Sequence, residues 1–154
     1  MYETGCNAYR QSAGNTLEDR RVVLLKLYDG ILKFLAQARR GILEGSPKIR
    51  GESISKIMAI VTELECALDL EKGGEIASNL SSLYRFIVNC LTTASLKNDV
   101  DSLDHVKDII SALKEGFEKA LQEQKNIESK KNPAAPLQMM TGTGPLERGV
   151  QFSL

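Results

Sequence analysis

Leu68-Asp69-Leu70-Glu71-Lys72-Gly73-Gly74-Glu75-Ile76 lies between two amphipathic segments of the chain. Before it, Ile54, Ile57, Met58, Val61, Leu64 and Leu68 recur at steps of three and four. After it, Ile76, Leu80, Leu83, Ile87, Leu91 and Ala94 do the same. Such spacing puts the apolar side chains of each segment on one helical stripe. A Gly-Gly pair between two stripes predicts a helix stop, because glycine tolerates the left-handed backbone that closes a helix. With helical residues resuming at once, the two helices must fold back on each other, reversing at Gly73-Gly74.

The same reading extends outward in both directions. Thr16 is a candidate N-cap with Asp19 in the first turn. It opens a helix whose stripe is Leu24, Leu27, Tyr28, Ile31, Phe34, Leu35, Ala38 and Ile42, closed by Gly41, Gly45 and Pro47. Ser53 or Ser55 opens the regular part of the second helix, with Pro47 to Glu52 as loop or frayed turn. Phe86 and Val88 lie off the third helix's stripe, so that helix is apolar on more than one face; it is either central or partnered on its second face. After the Lys97-Asn98-Asp99 break, Asp99 caps a fourth helix carrying Leu103, Val106, Ile110, Leu113 and Phe117 in heptad spacing, fraying beyond Gln124. The expected fold is all-α: an elongated antiparallel four-helix bundle over residues 17–129. A short N-terminal arm or helix (1–16) precedes it, and a flexible, Pro- and Gly-rich tail (130–154) follows.

The bulk numbers fit one domain of 154 residues. Twenty basic residues balance twenty acidic ones, which gives no reason to expect a nucleic-acid partner. No apolar run approaches the roughly 20 residues that span a bilayer, so no membrane insertion is expected. The first residues lack the basic and apolar regions of a secretory signal. Cys6, Cys66 and Cys90 are odd in number and widely spaced, which argues for free thiols in a reducing cytosol.

Chemistry is scarce. His105 is the one histidine, with Asp101 and Asp108 at helical spacing, but a di-iron bundle site needs two histidines from different helices. A Cys–His or Ser–His nucleophile would have to borrow the same His105. Gly73-Gly74 lacks the Gly-Lys-Ser/Thr ending of a phosphate loop and follows a helix, not a strand. No catalytic residue, no metal site and no cofactor is expected, and the chain is not read as an enzyme.

Several motifs, in order and at matching spacing over residues 1 to about 125, resemble the FliS family of flagellar export chaperones. Asn7-Ala8-Tyr9-Arg10 is similar to the family's N-terminal motif. Leu27-Tyr28-Asp29-Gly30-Ile31-Leu32-Lys33-Phe34-Leu35 is similar to its first-helix motif. LDLEKGGEIASNLSSLY, Leu68 to Tyr84, resembles its central corner, and Lys97-Asn98-Asp99 the break ending its third helix. The chain departs at Asn89 and Cys90, where many members carry basic residues.

The resemblance implies a cytoplasmic type III export chaperone. It would bind the disordered C-terminal segment of flagellin in apolar grooves, prevent premature polymerisation and support delivery to the flagellar export gate. The candidate partner-binding residues are Asn7, Ala8, Tyr9, Tyr28, Tyr84 and Phe86. Tyr28 and Tyr84 each lie beside a helix stripe, where core packing competes with partner contact. The alternative is a generic helical-bundle adaptor for another helical partner, since the fold alone does not choose.

Overall fold

The structure is a computed structural model and describes residues 17–131. It contains four helices: α1 (Leu17–Leu43), α2 (Pro47–Cys66), α3 (Leu70–Lys97) and α4 (Val100–Lys131). They form the expected all-α bundle. Thr16, the arm and residues 132–154 lie outside the described residues, while Lys130 and Lys131, expected in the tail, belong to α4.

One core joins the four helices. It comprises Tyr28, Ile31, Leu35 and Ala38 of α1, and Ile54, Ile57, Val61 and Leu64 of α2. From α3 come Tyr84, Ile87, Leu91 and Ala94, and from α4 Leu103, Val106 and Ile110. Each helix contributes at steps of three and four, so the periodicity in the sequence is the pattern of burial. The helices α1 and α4 are antiparallel and tied twice: Lys114 Nζ sits 2.7 Å from Asp29 Oδ1, and Arg39 Nε 3.3 Å from Asp104 Oδ1. Where α1 and α2 cross, a Cβ added to Gly41 would stand 2.6 Å from the Arg50 backbone nitrogen. Only glycine permits that approach. The Arg50 guanidinium in turn donates to Asn98, the left-handed residue that ends α3.

The α2–α3 connection is interrupted twice, at Ala67–Asp69 and again at Gly74, where the helix stop was expected. The chain turns at Ala67–Asp69, before the glycines. Asp69 is the N-cap of α3, its carboxylate accepting from the backbone N–H groups of Glu71 and Lys72 at 3.1 and 3.0 Å. Gly73 N–H then donates to Asp69 O at 2.7 Å, completing a first helical turn. The break falls at Gly74, whose φ 54° and ψ −132° lie inside α3 as a kink. These angles match the first central residue of a type II′ turn, a glycine position. The capping aspartate opens this one turn by satisfying two N–H groups that would otherwise lack partners, and the long run of α3 follows the Gly74 break.

Two boundaries also differ. Helix α2 begins at Pro47, not near Ser53, with Ser46 Oγ accepting from Ile49 N–H at 3.3 Å. A serine cap followed by proline in the first turn needs no donor from the proline nitrogen. Helix α4 runs past Gln124 to Lys131. Its last stretch is rich in strong helix formers. Gln124 Nε2 donates to Glu128 Oε1 one turn on at 3.3 Å, and Lys130 and Lys131 complement the helix dipole. Cys90 is a free thiol.

Candidate functional site

Helix α3 shows two different faces. The inner one is set by Ala77, Ser81, Tyr84, Ile87, Leu91 and Ala94, all buried. In its first half this is one position away from the expected stripe. Ile76 is 73% exposed, and Leu80 and Leu83 are only half-buried. The physical reason is Tyr84. Its hydroxyl lies 2.8 Å from that of Tyr28 across the core, a buried hydrogen bond between α1 and α3. Tyr28 also packs at 5.9 Å, centroid to centroid, against Phe117 of α4. Two satisfied phenols at the bundle centre fix the rotation of α3, and the aliphatic residues one step away turn outward.

The outer face is composed of neutral groups. Helical spacing sets Asn79, Ser82, Phe86, Asn89 and Thr93 along it, with Ile76 and Leu83 at its flank. Phe86 is 50% exposed at its middle. From Ile76 to Leu96 the chain carries one charged side chain, Arg85. Over the same length α4 carries eight: Asp101, Asp104, Lys107, Asp108, Lys114, Glu115, Glu118 and Lys119. Arg85 is drawn aside toward α2. Its Nε lies 3.1 Å from Glu65 Oε1, which also accepts from Ser81 Oγ at 3.2 Å. Cys90, half-buried beside this face, adds no charge: burial, and then the nearby Asp99 carboxylate, push its thiol pKa up. Depletion of charge around an exposed aromatic is the composition of a protein-binding surface.

The structure therefore separates the candidate residues. Tyr28 and Tyr84 are 0% and 2% exposed and touch each other, not solvent. Phe86 is at the surface. Asn7, Ala8 and Tyr9 lie outside the described residues. Sequence reasoning passed over Asn79, Ser82, Asn89 and Thr93, although the missing charge from Ile76 to Leu96 was there to be read. Among the described residues, no group of His, Cys, Asp and Glu is arranged to hold a metal, and no helix is long and apolar enough to cross a membrane.

Comparison with known proteins assigns a family to this bundle. The sequence model of the family described as "Flagellar protein FliS" matches residues 2–125. The chain is similar to the flagellar secretion chaperone FliS of Vibrio cholerae, with 34% identity over 105 residues, 68% of this chain and 77% of that protein. It is similar to the protein of the same name from Campylobacter jejuni, with 35% identity over 111 residues, 72% of this chain and 86% of that one. With that of Escherichia coli it shares 30% identity over 122 residues, 76% and 89% of the two chains. These relatives are named as chaperones, a role without catalysis. With the family model spanning all four helices, the chain belongs to the FliS family of flagellar proteins.

Proposed function

We propose that this protein is a cytoplasmic flagellar secretion chaperone that holds the C-terminal segment of flagellin. It keeps the segment from polymerising and brings it to the export gate. The observation that carries this reading is the neutral outer face of α3 with Phe86 at its centre, on a chain whose relatives are named flagellar secretion chaperones. An amphipathic helix laid against such a face would bury apolar area without stranding a charge. Phe86 makes the contact. Tyr28 and Tyr84 act from within by holding α3 in rotation, and Asn7, Ala8 and Tyr9 add contacts from the N-terminal segment. In domain terms, 17–131 is the binding bundle, 1–16 an accessory arm and 132–154 a tail.

The test is direct. The protein is mixed with flagellin from the same organism, intact and lacking its C-terminal segment, and the products are separated by size with light scattering. A one-to-one complex with the intact protein alone is expected. Equal complex formation with the truncated flagellin, or none with either, rejects the proposal.

A further inference from the structure

The neutral face also carries information about what it accepts. From Ile76 to Leu96, about 30 Å of helix at 1.5 Å per residue, the lone charged group is Arg85. Glu65 on α2 already holds it at 3.1 Å. Exposed positions that a solvated helix fills with Lys or Glu hold Asn79, Ser82 and Asn89 instead. Those side chains donate and accept hydrogen bonds but cannot neutralise an ion. Phe86 stands among them half out of the surface. The next charges along the helix are Glu75 and Lys97, at the two ends of the stretch.

We infer that this face selects its partner by excluding charge: it takes a helical segment whose contact side is apolar and small-polar, and rejects one that presents a Lys or a Glu there. This rests on the flagellin reading above and specifies how the bound segment is recognised. A partner ion buried against Phe86 would lose water and meet no counter-charge, a penalty that the rest of the contact must overcome. A segment of either sign is penalised alike, which distinguishes exclusion from electrostatic attraction. The one charge on the stretch, Arg85, is already paired with Glu65. Recognition of this kind is insensitive to salt, since no ion pair is there to be screened.

The experiment uses the full chain and a labelled C-terminal flagellin peptide, titrated by anisotropy in about 50 and about 500 mM NaCl, a range over which the screening length falls several-fold. The affinity is expected to stay within about twofold. Phe86→Ala is expected to weaken binding by about tenfold or more, as removal of a central aromatic does. Ser82→Glu and Ser82→Lys are both expected to weaken it by a similar factor, while Ser111→Glu, at an exposed position on α4, leaves it unchanged. Circular dichroism confirms that each variant is folded. Opposite effects of Ser82→Glu and Ser82→Lys, or a tenfold loss in high salt, would overturn charge exclusion while leaving flagellin binding intact. Silent Phe86 and Ser82 variants in a protein that still binds would overturn the assignment to this face. A wild-type protein that does not bind the peptide overturns both the inference and the function beneath it.

Discussion

Tyr84 and Phe86 are two residues apart on one helix and have opposite surroundings. Tyr84 is 2% exposed, hydrogen-bonded to Tyr28 in the middle of the bundle; Phe86 is 50% exposed among neutral polar groups. Sequence position separates them by about 200° around the helix, so one ring must face inward if the other faces out. The pair shows how α3 divides its work. Its inner side spends an aromatic on orientation, and its outer side leaves one available to a partner.

Substitutions can break that division at either end. Tyr84→Ala is expected to be the most damaging, costing about 3–5 kcal/mol by analogy with other large buried aromatics. Chemical denaturation measures it, and a loss below about 1 kcal/mol would show that Tyr84 is not the pivot described. Tyr84→Phe keeps the ring and removes the hydroxyl, taking from Tyr28 its bond across the core. A loss of about 0.5–1.5 kcal/mol is expected, with the far-UV spectrum unchanged. Ser46→Ala, remote from both aromatics, removes the cap of α2 and is expected to lower stability by about 1 kcal/mol without touching flagellin affinity. Phe86→Ala should change stability by less than about 0.5 kcal/mol, the mirror image of Tyr84→Ala, since its effect falls on binding.

The smallest effect expected is a pH dependence at the far end of α3. Ser102 Oγ donates to the Asp99 carboxylate at 2.8 Å, and the Asp101 N–H donates at 3.0 Å. The hydroxyl bond chiefly, and the backbone N–H bonds after it, hold this carboxyl below its ordinary pKa against some opposing burial. A carboxylate depressed in the folded state contributes stability above its unfolded pKa, about 3.9, and loses it as pH falls through the lower folded value. Asp99→Asn should therefore flatten the acid side of the stability curve below about pH 4. An identical slope in the two proteins would rule this out.

Much of the bundle was legible in the chain because helix period and burial are the same signal. Ile54, Ile57, Val61 and Leu64 were placed correctly by spacing alone, as were Leu103, Val106 and Ile110. What misled was local competition. Gly73-Gly74 marks a real break, but Asp69 caps a helical turn ahead of it that the glycines do not announce. Ser46-Pro47 was a start signal overlooked in favour of later serines. Ile76, Leu80 and Leu83 form a good stripe on hydrophobicity, yet a phenol pair needing a partner across the core overrules aliphatic residues that need none. That constraint is tertiary and no window of α3 contains it. For the candidate site, Phe86 was visible as an apolar residue off its stripe. The neutral groups around it were harder to see, because they are marked by what is missing.

The two ion pairs between α1 and α4 have a consequence beyond their strength. Both are exposed enough that neither adds much stability. But ten residues separate Asp29 from Arg39, and ten separate Asp104 from Lys114, in opposite directions. The two contacts act as marks on a pair of sliding rules. A one-residue insertion between the marks on either helix would swing one partner by about 100° and leave the other in place. Evolution can exchange the charges at these points cheaply. It cannot change the number of residues between them on one helix without changing the other, so this stretch of the bundle should tolerate substitution far better than insertion or deletion.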